Sequence, residues 1–345
     1  MKIIISNTTY NILDEQRIRD VGTEAELYPI TNERILKKYN DSDLSEQERK
    51  VRALCNLSSY FESSFGNSSI AYPLDIAYEE LGSSNQFCGF SMNFFSNCYT
   101  MEKSAFSLFD NRFFKPEMTD FRAVSIIYDL FRLLDSIHYK RIVLGDIKPA
   151  NILINPSTYK PIIVDFDSAQ VPPNFPCSAI SEQYLDPKIE VQGKNTNGFY
   201  TVSTDSDIYS LAVVAYEFFV GMLPFDISVE PALTDVEAKN LNVNLLVFHK
   251  HKLNRLRAGG YELQKNENCK LALARLDILE KNHKELYEFL CTVLVFDKRQ
   301  YLARSKKQVT KTQNRQRKFI SKERRYEKND PKELLELIKT YNLTL

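Results

Sequence analysis

The residues best suited to chemistry lie where a polar stretch meets two apolar runs. Asp146, Lys148 and Asn151 precede the apolar run 152–154, and Asp165 ends a second apolar run. A strand, a turn and a second strand would bring the two carboxylates and the amide to one end of a hairpin. Carboxylate and amide oxygens are ligands for Mg²⁺, and a neighbouring lysine favours a phosphate. The pattern therefore predicts a magnesium and phosphate site.

The elements that would position this site follow from the hydrophobic pattern. Apolar residues repeat at helical spacing over 121–138. A nearly all-apolar run over 205–220 predicts a buried central helix capped by Asp205 or Ser206. Another apolar helix is predicted over 285–296. The last two-thirds of the chain is therefore expected to be mainly helical.

The first third is predicted to be a small sheet with one helix. Runs of β-prone residues broken by polar turns predict strands over residues 3–5, 25–30, 34–39, 70–76 and 87–92. The helix is predicted over 45–60, with Glu48, Val51 and Cys55 on one face.

Composition excludes several broad classes of protein. The chain of 345 residues has 45 Lys and Arg against 45 Asp and Glu, and 43% of it is hydrophobic. This composition excludes wholesale disorder and gives no bulk attraction to nucleic acid. Six scattered cysteines predict reduced thiols. Neither a signal-peptide core nor a membrane span is visible, so we expect a cytoplasmic protein, or one that a pathogen delivers into a host cytosol.

The polar stretch has a specific resemblance. The pattern Asp146-x-Lys148-x-x-Asn151, followed by 165–167, resembles the catalytic loop and metal-binding motif of the protein kinase superfamily, D-x-K-x-x-N and D-F-G. Further segments resemble later kinase motifs in the same order: 183–187, 207–212, 221–225 and 297–299. The resemblance covers roughly residues 15–303.

Within the superfamily, the chain is most similar to a divergent bacterial group. Its features are Gly145 before Asp146, the sequence Asp-Phe-Asp-Ser at 165–168, and Ala-Tyr-Pro at 71–73. Glycine at 145 removes the arginine that would pair with a phosphorylated activation segment, so we expect that phosphorylation there is not the on-switch. Asp167 replaces a glycine and adds an acid near the metal.

The resemblance implies an α+β, bilobal protein-kinase-like fold. Residues 1–92 would form a small β-rich N-lobe and 93–303 a larger helical C-lobe. Residues 304–345 would form a basic tail and a C-terminal helix.

The resemblance also implies ATP and Mg²⁺ as cofactors and the Ser/Thr hydroxyls of a protein as substrate. Asp146 would be the catalytic base, and Lys148 would neutralise developing charge. Asn151 and Asp165 would bind the metal. Asp207 would hold the backbone of the catalytic loop.

In the N-lobe, the resemblance implies five cofactor-binding residues: Gly22, Ala25, Lys37, Glu48 and Met92. Gly22 and Ala25 belong to the loop that covers the phosphates, where only one of the usual glycines remains. Met92 lies in the strand end and hinge, 90–93, expected to contact adenine.

Lys37 is expected to grip the phosphates, and Lys38 is the alternative because a shift of one residue changes the face of a strand. Glu48 is expected to pair with that lysine, since Glu46 is out of phase with the apolar face.

Two alternatives to an active protein kinase stay open. The first is a pseudokinase that serves as a nucleotide-binding or scaffold module. The second is a kinase of a non-protein substrate. The basic segment 304–328 is either a solvated tail or a docking site for an acidic partner. It lacks regular aromatic interleaving, so nucleic-acid binding is not expected.

Overall fold

The structure is a computed structural model. It describes residues 1–18, 25–41, 44–65, 69–102, 120–172, 175–256 and 260–295. The chain divides into two compact units after Gly221. The expected α+β class is confirmed, and the lobe boundaries remain a prediction. The basic segment, the C-terminal helix and the predicted motif 297–299 lie outside the described residues.

The first unit opens on a six-stranded antiparallel sheet with the strand order β2-β1-β5-β6-β4-β3. The strands are β1 (Lys2–Ile5), β2 (Thr8–Asn11), β3 (Ala25–Pro29), β4 (Arg34–Tyr39), β5 (Asp75–Leu81) and β6 (Ser84–Asn93). The strand predicted over 70–76 was misplaced, because only Ile70 forms an isolated bridge before β5 begins. Pro73 interrupts that run, and proline cannot donate to a strand ladder.

Strand β4 carries Lys37 into a tightly packed position. Lys37 lies opposite Phe90 of β6, and Gly89 lies opposite Lys38. A Cβ atom on Gly89 would come within 2.0 Å of the backbone oxygen of Lys37. Glycine at 89 therefore allows the two backbones to approach at the point where the lysine projects.

Two helices follow β4, where one was predicted. They are α1 (Ser45–Cys55) and α2 (Ser58–Phe65). The helix breaks because the N–H of Leu57 turns back to the carbonyl of Leu54, a tight bond of the kind that ends helices. Helix α1 contacts β5 and β6 and buries Lys50, Val51 and Leu54.

The helical part of the first unit holds the chemical motifs. Its elements are β7 (Tyr99–Thr100), α3 (Asp120–Tyr139), β8 (Ile152–Ile154), β9 (Pro161–Ile163), α4 (Pro187–Gln192) and α5 (Thr204–Val220). Strands β7, β8 and β9 form a three-stranded sheet. Helix α5 is almost wholly buried, as predicted, but its cap is Ser203. Ser203 accepts from the N–H of Ser206, and the Ser206 hydroxyl accepts in return from the N–H of Ser203.

The second unit, as far as it is described, is mainly helical. Its elements are β10 (Val229–Glu230), α6 (Asp235–Leu241), α7 (Leu245–Lys250), β11 (Glu262–Leu263), α8 (Glu267–Asn282) and α9 (Lys284–Leu294). Strands β10 and β11 pair with each other. Helices α7, α8 and α9 pack together around buried Leu246, Leu276 and Leu290.

All six cysteines are free thiols, as expected. Among the helices described here, none has the length and apolar character needed to cross a membrane.

Candidate active site

Three residues of the predicted catalytic loop bond to one another. Lys148 Nζ lies 2.8 Å from Asp146 Oδ2. Asn151 Nδ2 donates to the Asp146 backbone oxygen at 3.0 Å and to Oδ2 at 3.1 Å. Pro149 begins the short 3-10 turn that brings Asn151 back over Asp146. The other oxygen, Oδ1, is buried and has no hydrogen-bond partner among the described residues.

Asp165 lies with this group, as predicted. Asp146, Asn151 and Asp165 line a pocket together with apolar residues that include Leu144 and Ile163. Asp165 follows β9 and adopts a left-handed backbone conformation, with φ 62° and ψ 36°. This conformation turns the chain sharply into the short helix 166–168. The hairpin therefore brings the acids and the amide to one cavity.

The ring of Phe166 fixes the motif that begins with Asp165. Phe166 is buried, and its ring meets the edge of Phe61 in α2 with ring centroids 5.1 Å apart. Phe61 in turn packs on Tyr72, at 5.0 Å. This aromatic cluster packs against the acidic motif from its apolar side.

Asp207 holds the loop backbone, as expected. The N–H groups of Leu144 and Gly145 donate to its two carboxylate oxygens, each at 2.8 Å. His138 Nε2 lies 2.9 Å from Oδ2. Asp207 is fully buried at the start of α5, so the central helix positions the chain just before Asp146.

The structure gives a physical reason for Gly145. Its φ is +74°, and a Cβ atom there would lie 2.3 Å from the sulfur of Cys177. Cys177 is buried, and burial raises the pKa of its thiol to about 12, so it packs as a neutral side chain. The thiol thus occupies the space that a side chain at position 145 would need.

Ser181 was missed by the sequence analysis as a site residue. Lys148 Nζ donates to Ser181 Oγ at 3.0 Å while it pairs with Asp146. The signal in the sequence was its position two residues before 183–187, one of the segments that resemble later kinase motifs. Lys148 therefore brings a hydroxyl and a carboxylate together.

Lys37 is the strand lysine that reaches the acidic motif. Its Nζ donates to Asp165 Oδ1 at 2.6 Å and to Asp167 Oδ1 at 2.7 Å. Lys38 instead lies 3.3 Å from Glu79. Burial disfavours the charged amine, but attraction to Asp167 and Asp165 outweighs it and raises the pKa of Lys37.

Asp167 is more enclosed than Asp165, the other acid of the motif. Besides Lys37, it accepts a hydrogen bond at 2.7 Å from the Tyr39 hydroxyl. Burial would raise the pKa of Asp167, but the Lys37 charge and these hydrogen bonds hold it below its ordinary value. Burial, and then the charge of Asp167, raise the pKa of Tyr39.

The expected pair between Glu48 and Lys37 is not formed in this structure. Glu48 accepts from Arg52 at 2.7 Å and from the Tyr78 hydroxyl at 3.1 Å. The helix phase explains the difference: Val51 is buried as expected, but its buried neighbours are Lys50 and Leu54, while Glu48 is only half-buried. The prediction was wrong about which charged residue of the helix turns inward.

Lys50 takes the inward position on α1. Its Nζ donates to the carbonyl oxygens of Ser168 and Pro176, each at 3.1 Å. Burial lowers the pKa of Lys50. A buried lysine thus joins the helix to the segment that follows the acidic motif.

The remaining N-lobe residues are placed less directly. Gly22 lies outside the described residues. Ala25 begins β3 opposite Tyr39. Met92 lies opposite Ile35 in β6 and is buried in the apolar cluster beneath the sheet. Their roles toward a nucleotide stay predictions.

A family comparison identifies the fold. The model of the protein kinase domain matches residues 91–310, more than half of the chain. The chain belongs to the protein kinase family. The matched range includes the loop around Asp146, the motif at Asp165 and the central helix α5.

Bacterial relatives of this protein kinase share about a third of the residues in one limited stretch. The chain is 32% identical over 115 residues to serine/threonine-protein kinase pkn2 of Myxococcus xanthus, which is 30% of this chain and 13% of that protein. It is 33% identical over 115 residues to PknB of Mycobacterium tuberculosis, 31% of this chain and 17% of PknB. For PknA of Corynebacterium glutamicum, the identity is 36% over 110 residues, 30% of this chain and 22% of PknA. The chain thus spans less than a quarter of the length of these relatives.

Proposed function

We propose that this kinase transfers a phosphoryl group from ATP, with Mg²⁺, to Ser/Thr hydroxyls of a protein substrate. The observation that carries the proposal is the geometry of Asp146. One oxygen is held by Lys148 and Asn151, while the buried Oδ1 has no partner among the described residues. A buried carboxylate oxygen without a partner is costly, and a substrate hydroxyl would satisfy it.

Asp146 would act as the base. Its free oxygen accepts the hydroxyl proton, and the bonds to Oδ2 keep the carboxylate from rotating. In phosphoryl transfer such a residue mainly orients the attacking hydroxyl.

Lys148 would neutralise the negative charge of the phosphoryl group during transfer. It already contacts a carboxylate and the hydroxyl of Ser181. A substrate serine or threonine that approaches Asp146 therefore meets a cation beside the base.

Asn151 and Asp165 fit a hard cation. Because the amide nitrogen of Asn151 donates to Asp146, its amide oxygen remains for a metal. Asp165 contributes a carboxylate to the same pocket, and such oxygen ligands suit Mg²⁺. When bound, Mg²⁺ would neutralise charge on the phosphates. Lys37 lies beside Asp165, where it would hold the same phosphates.

The deciding experiment is transfer of labelled phosphate from ATP to a generic protein substrate, followed by analysis of the phosphorylated residue type. Asp146→Asn should lower the rate by about 10²–10⁴-fold, the contribution typical of a general base. Asp129→Asn is the matched control, since Asp129 also pairs with a lysine, Lys160, at 2.7 Å. Equal rates for wild type and Asp146→Asn would overturn the assignment. Transfer to a small molecule alone would redirect it to a non-protein substrate.

A second candidate, nucleotide binding without transfer, has its own support. Lys37 engages both Asp165 and Asp167, so the proposed metal ligand is already paired. A rise in melting temperature with ATP and Mg²⁺, without phosphate transfer, would favour this reading. The basic segment 304–328 stays a proposed docking site for an acidic partner.

A further inference from the structure

Helix α1 offers Lys37 no acid in this structure. Protein kinases rely on an ion pair between the strand lysine and a helix glutamate. Of the two acids in α1, Glu46 is exposed and Glu48 pairs with Arg52. Lys37 is nevertheless fully neutralised by acids from another segment.

We propose that Asp167 is the positioning residue for Lys37 in place of a helix acid, and that α1 acts on the acidic motif through Lys50. The inference rests on the proposed nucleotide site and names the residues that set its lysine. The usual charges are exchanged between the two elements: helix α1 supplies a lysine, Lys50, and the acidic motif supplies the carboxylate, Asp167, that pairs with Lys37.

Asp165 and Asp167 differ in a way that assigns their roles. The side chain of Asp165 is 34% exposed and lines the pocket, whereas that of Asp167 is 8% exposed. Asp167 holds Lys37 Nζ with both oxygens, at 2.7 and 3.0 Å. Asp165 is therefore open to a ligand, while Asp167 remains as the standing partner of the lysine.

Strand β4 grips Asp167 at two points. Lys37 and Tyr39 are two residues apart and so project from the same face of the strand. Lys37 bonds both carboxylate oxygens, and the Tyr39 hydroxyl donates to Oδ2 at 2.7 Å. This arrangement fixes the lysine to the motif without any help from α1.

Lys50 explains why α1 carries no acid at its inward position. Its ammonium group donates to the backbone carbonyl oxygens of Ser168 and Pro176. A carboxylate could not take its place, because it has no proton to donate to a carbonyl oxygen. Burial lowers the pKa of Lys50, and the negative charge of Asp167 opposes that shift. A glutamate at this position would instead repel Asp167 and leave both carbonyls without a donor.

The first test measures Lys37 in the nucleotide-free protein, so its outcome does not depend on phosphate transfer. An amine-acylating reagent is applied, and modification of each lysine is followed by mass spectrometry. Asp167→Asn should raise the rate at Lys37 about tenfold, since the amine loses its bidentate partner. Glu79→Gln, the matched control, should raise the rate at Lys38 and leave Lys37 unchanged. An unchanged rate at Lys37 in Asp167→Asn would overturn the proposal.

The second test separates positioning from general packing. Asp167→Gly should weaken ATP binding about tenfold and raise the KM for ATP more than it lowers kcat. The double variant Asp167→Gly/Lys50→Glu places an acid at the inward position of α1, and it should recover part of the lost ATP affinity although the two carbonyls lose their donor. Lys50→Met in the same background is the control that removes charge without supplying an acid. A folded Glu variant with no better affinity than the Met variant would overturn the charge exchange.

Discussion

The predicted catalytic loop and the region around Lys37 both hold charged groups in fixed positions, but they do so in different ways. In the loop, Asp146, Lys148 and Asn151 bond to one another within a single short segment. Around Lys37, the partner acid comes from Asp167, far along the chain, and α1 presents Lys50. Charges fixed within one segment depend on spacing, whereas a long-range ion pair can be rebuilt from a different element.

The largest effect should follow from removing the side chain of Asp207, which joins helix α5 to the loop before Asp146. Asp207→Ala leaves the buried N–H groups of Leu144 and Gly145 without acceptors. We expect a loss of about 4 kcal/mol in the free energy of unfolding. Urea denaturation measures it, with Asp205→Ala on the same helix as control. A loss below about 1 kcal/mol would mean that water replaces the carboxylate.

The next effect concerns the tight contact behind the loop. Gly145→Ala should cost about 3 kcal/mol of unfolding free energy, because it adds a clash with Cys177 to an unfavourable φ. Gly82→Ala has a similar φ of +64° in open space and should cost only about 1 kcal/mol. Adding Cys177→Ala should recover part of the loss only in the first variant. Equal losses for the two glycines would show that the clash relaxes freely.

A smaller effect is expected at Asp75, the first residue of β5. Burial would raise the pKa of Asp75, but hydrogen bonds from Ser6 and Arg34 outweigh it and lower the pKa. The stabilisation is therefore complete above the ordinary value of 3.8 and is lost as the pH falls through the lower folded-state pKa. Asp75→Asn should cost about 0.5–1 kcal/mol at pH 7, since the pair is partly exposed. The difference from wild type should vanish at strongly acid pH, and a constant difference would contradict the prediction.

The smallest effect sharpens the comparison most. Glu48→Gln should leave ATP affinity within about twofold of wild type, since it removes only a helix-surface pair with Arg52 and a bond from Tyr78. The ATP affinities of Glu48→Gln and Asp167→Asn are measured side by side by titration with ATP and Mg²⁺. A loss for Glu48→Gln as large as for Asp167→Asn would restore the helix acid as the partner of Lys37.

The catalytic loop was open to prediction because its geometry is local. The spacing of Asp146, Lys148 and Asn151, with a proline between them, allows few backbone paths, and the hairpin that follows delivers Asp165. The central helix was equally predictable, since its apolar run is too long for a strand.

The environment of Lys37 was not open to prediction in the same way. The sequence pattern turned Glu48 inward because it shares a face with Val51 and Cys55, and no local signal marked Lys50 as buried. The bonds that bury Lys50 come from Ser168 and Pro176, remote in the sequence. The space behind Gly145 was hidden for the same reason, because Cys177 fills it from a distant segment.

The position of Lys37 also depends on Gly89, a residue remote in the sequence that has no side chain. Its missing side chain lets β6 pass beside the carbonyl of Lys37. If position 89 is randomised and the variants are selected for ATP binding, the selected variants should carry glycine there. The position would then score as essential in a genetic screen although it touches no substrate.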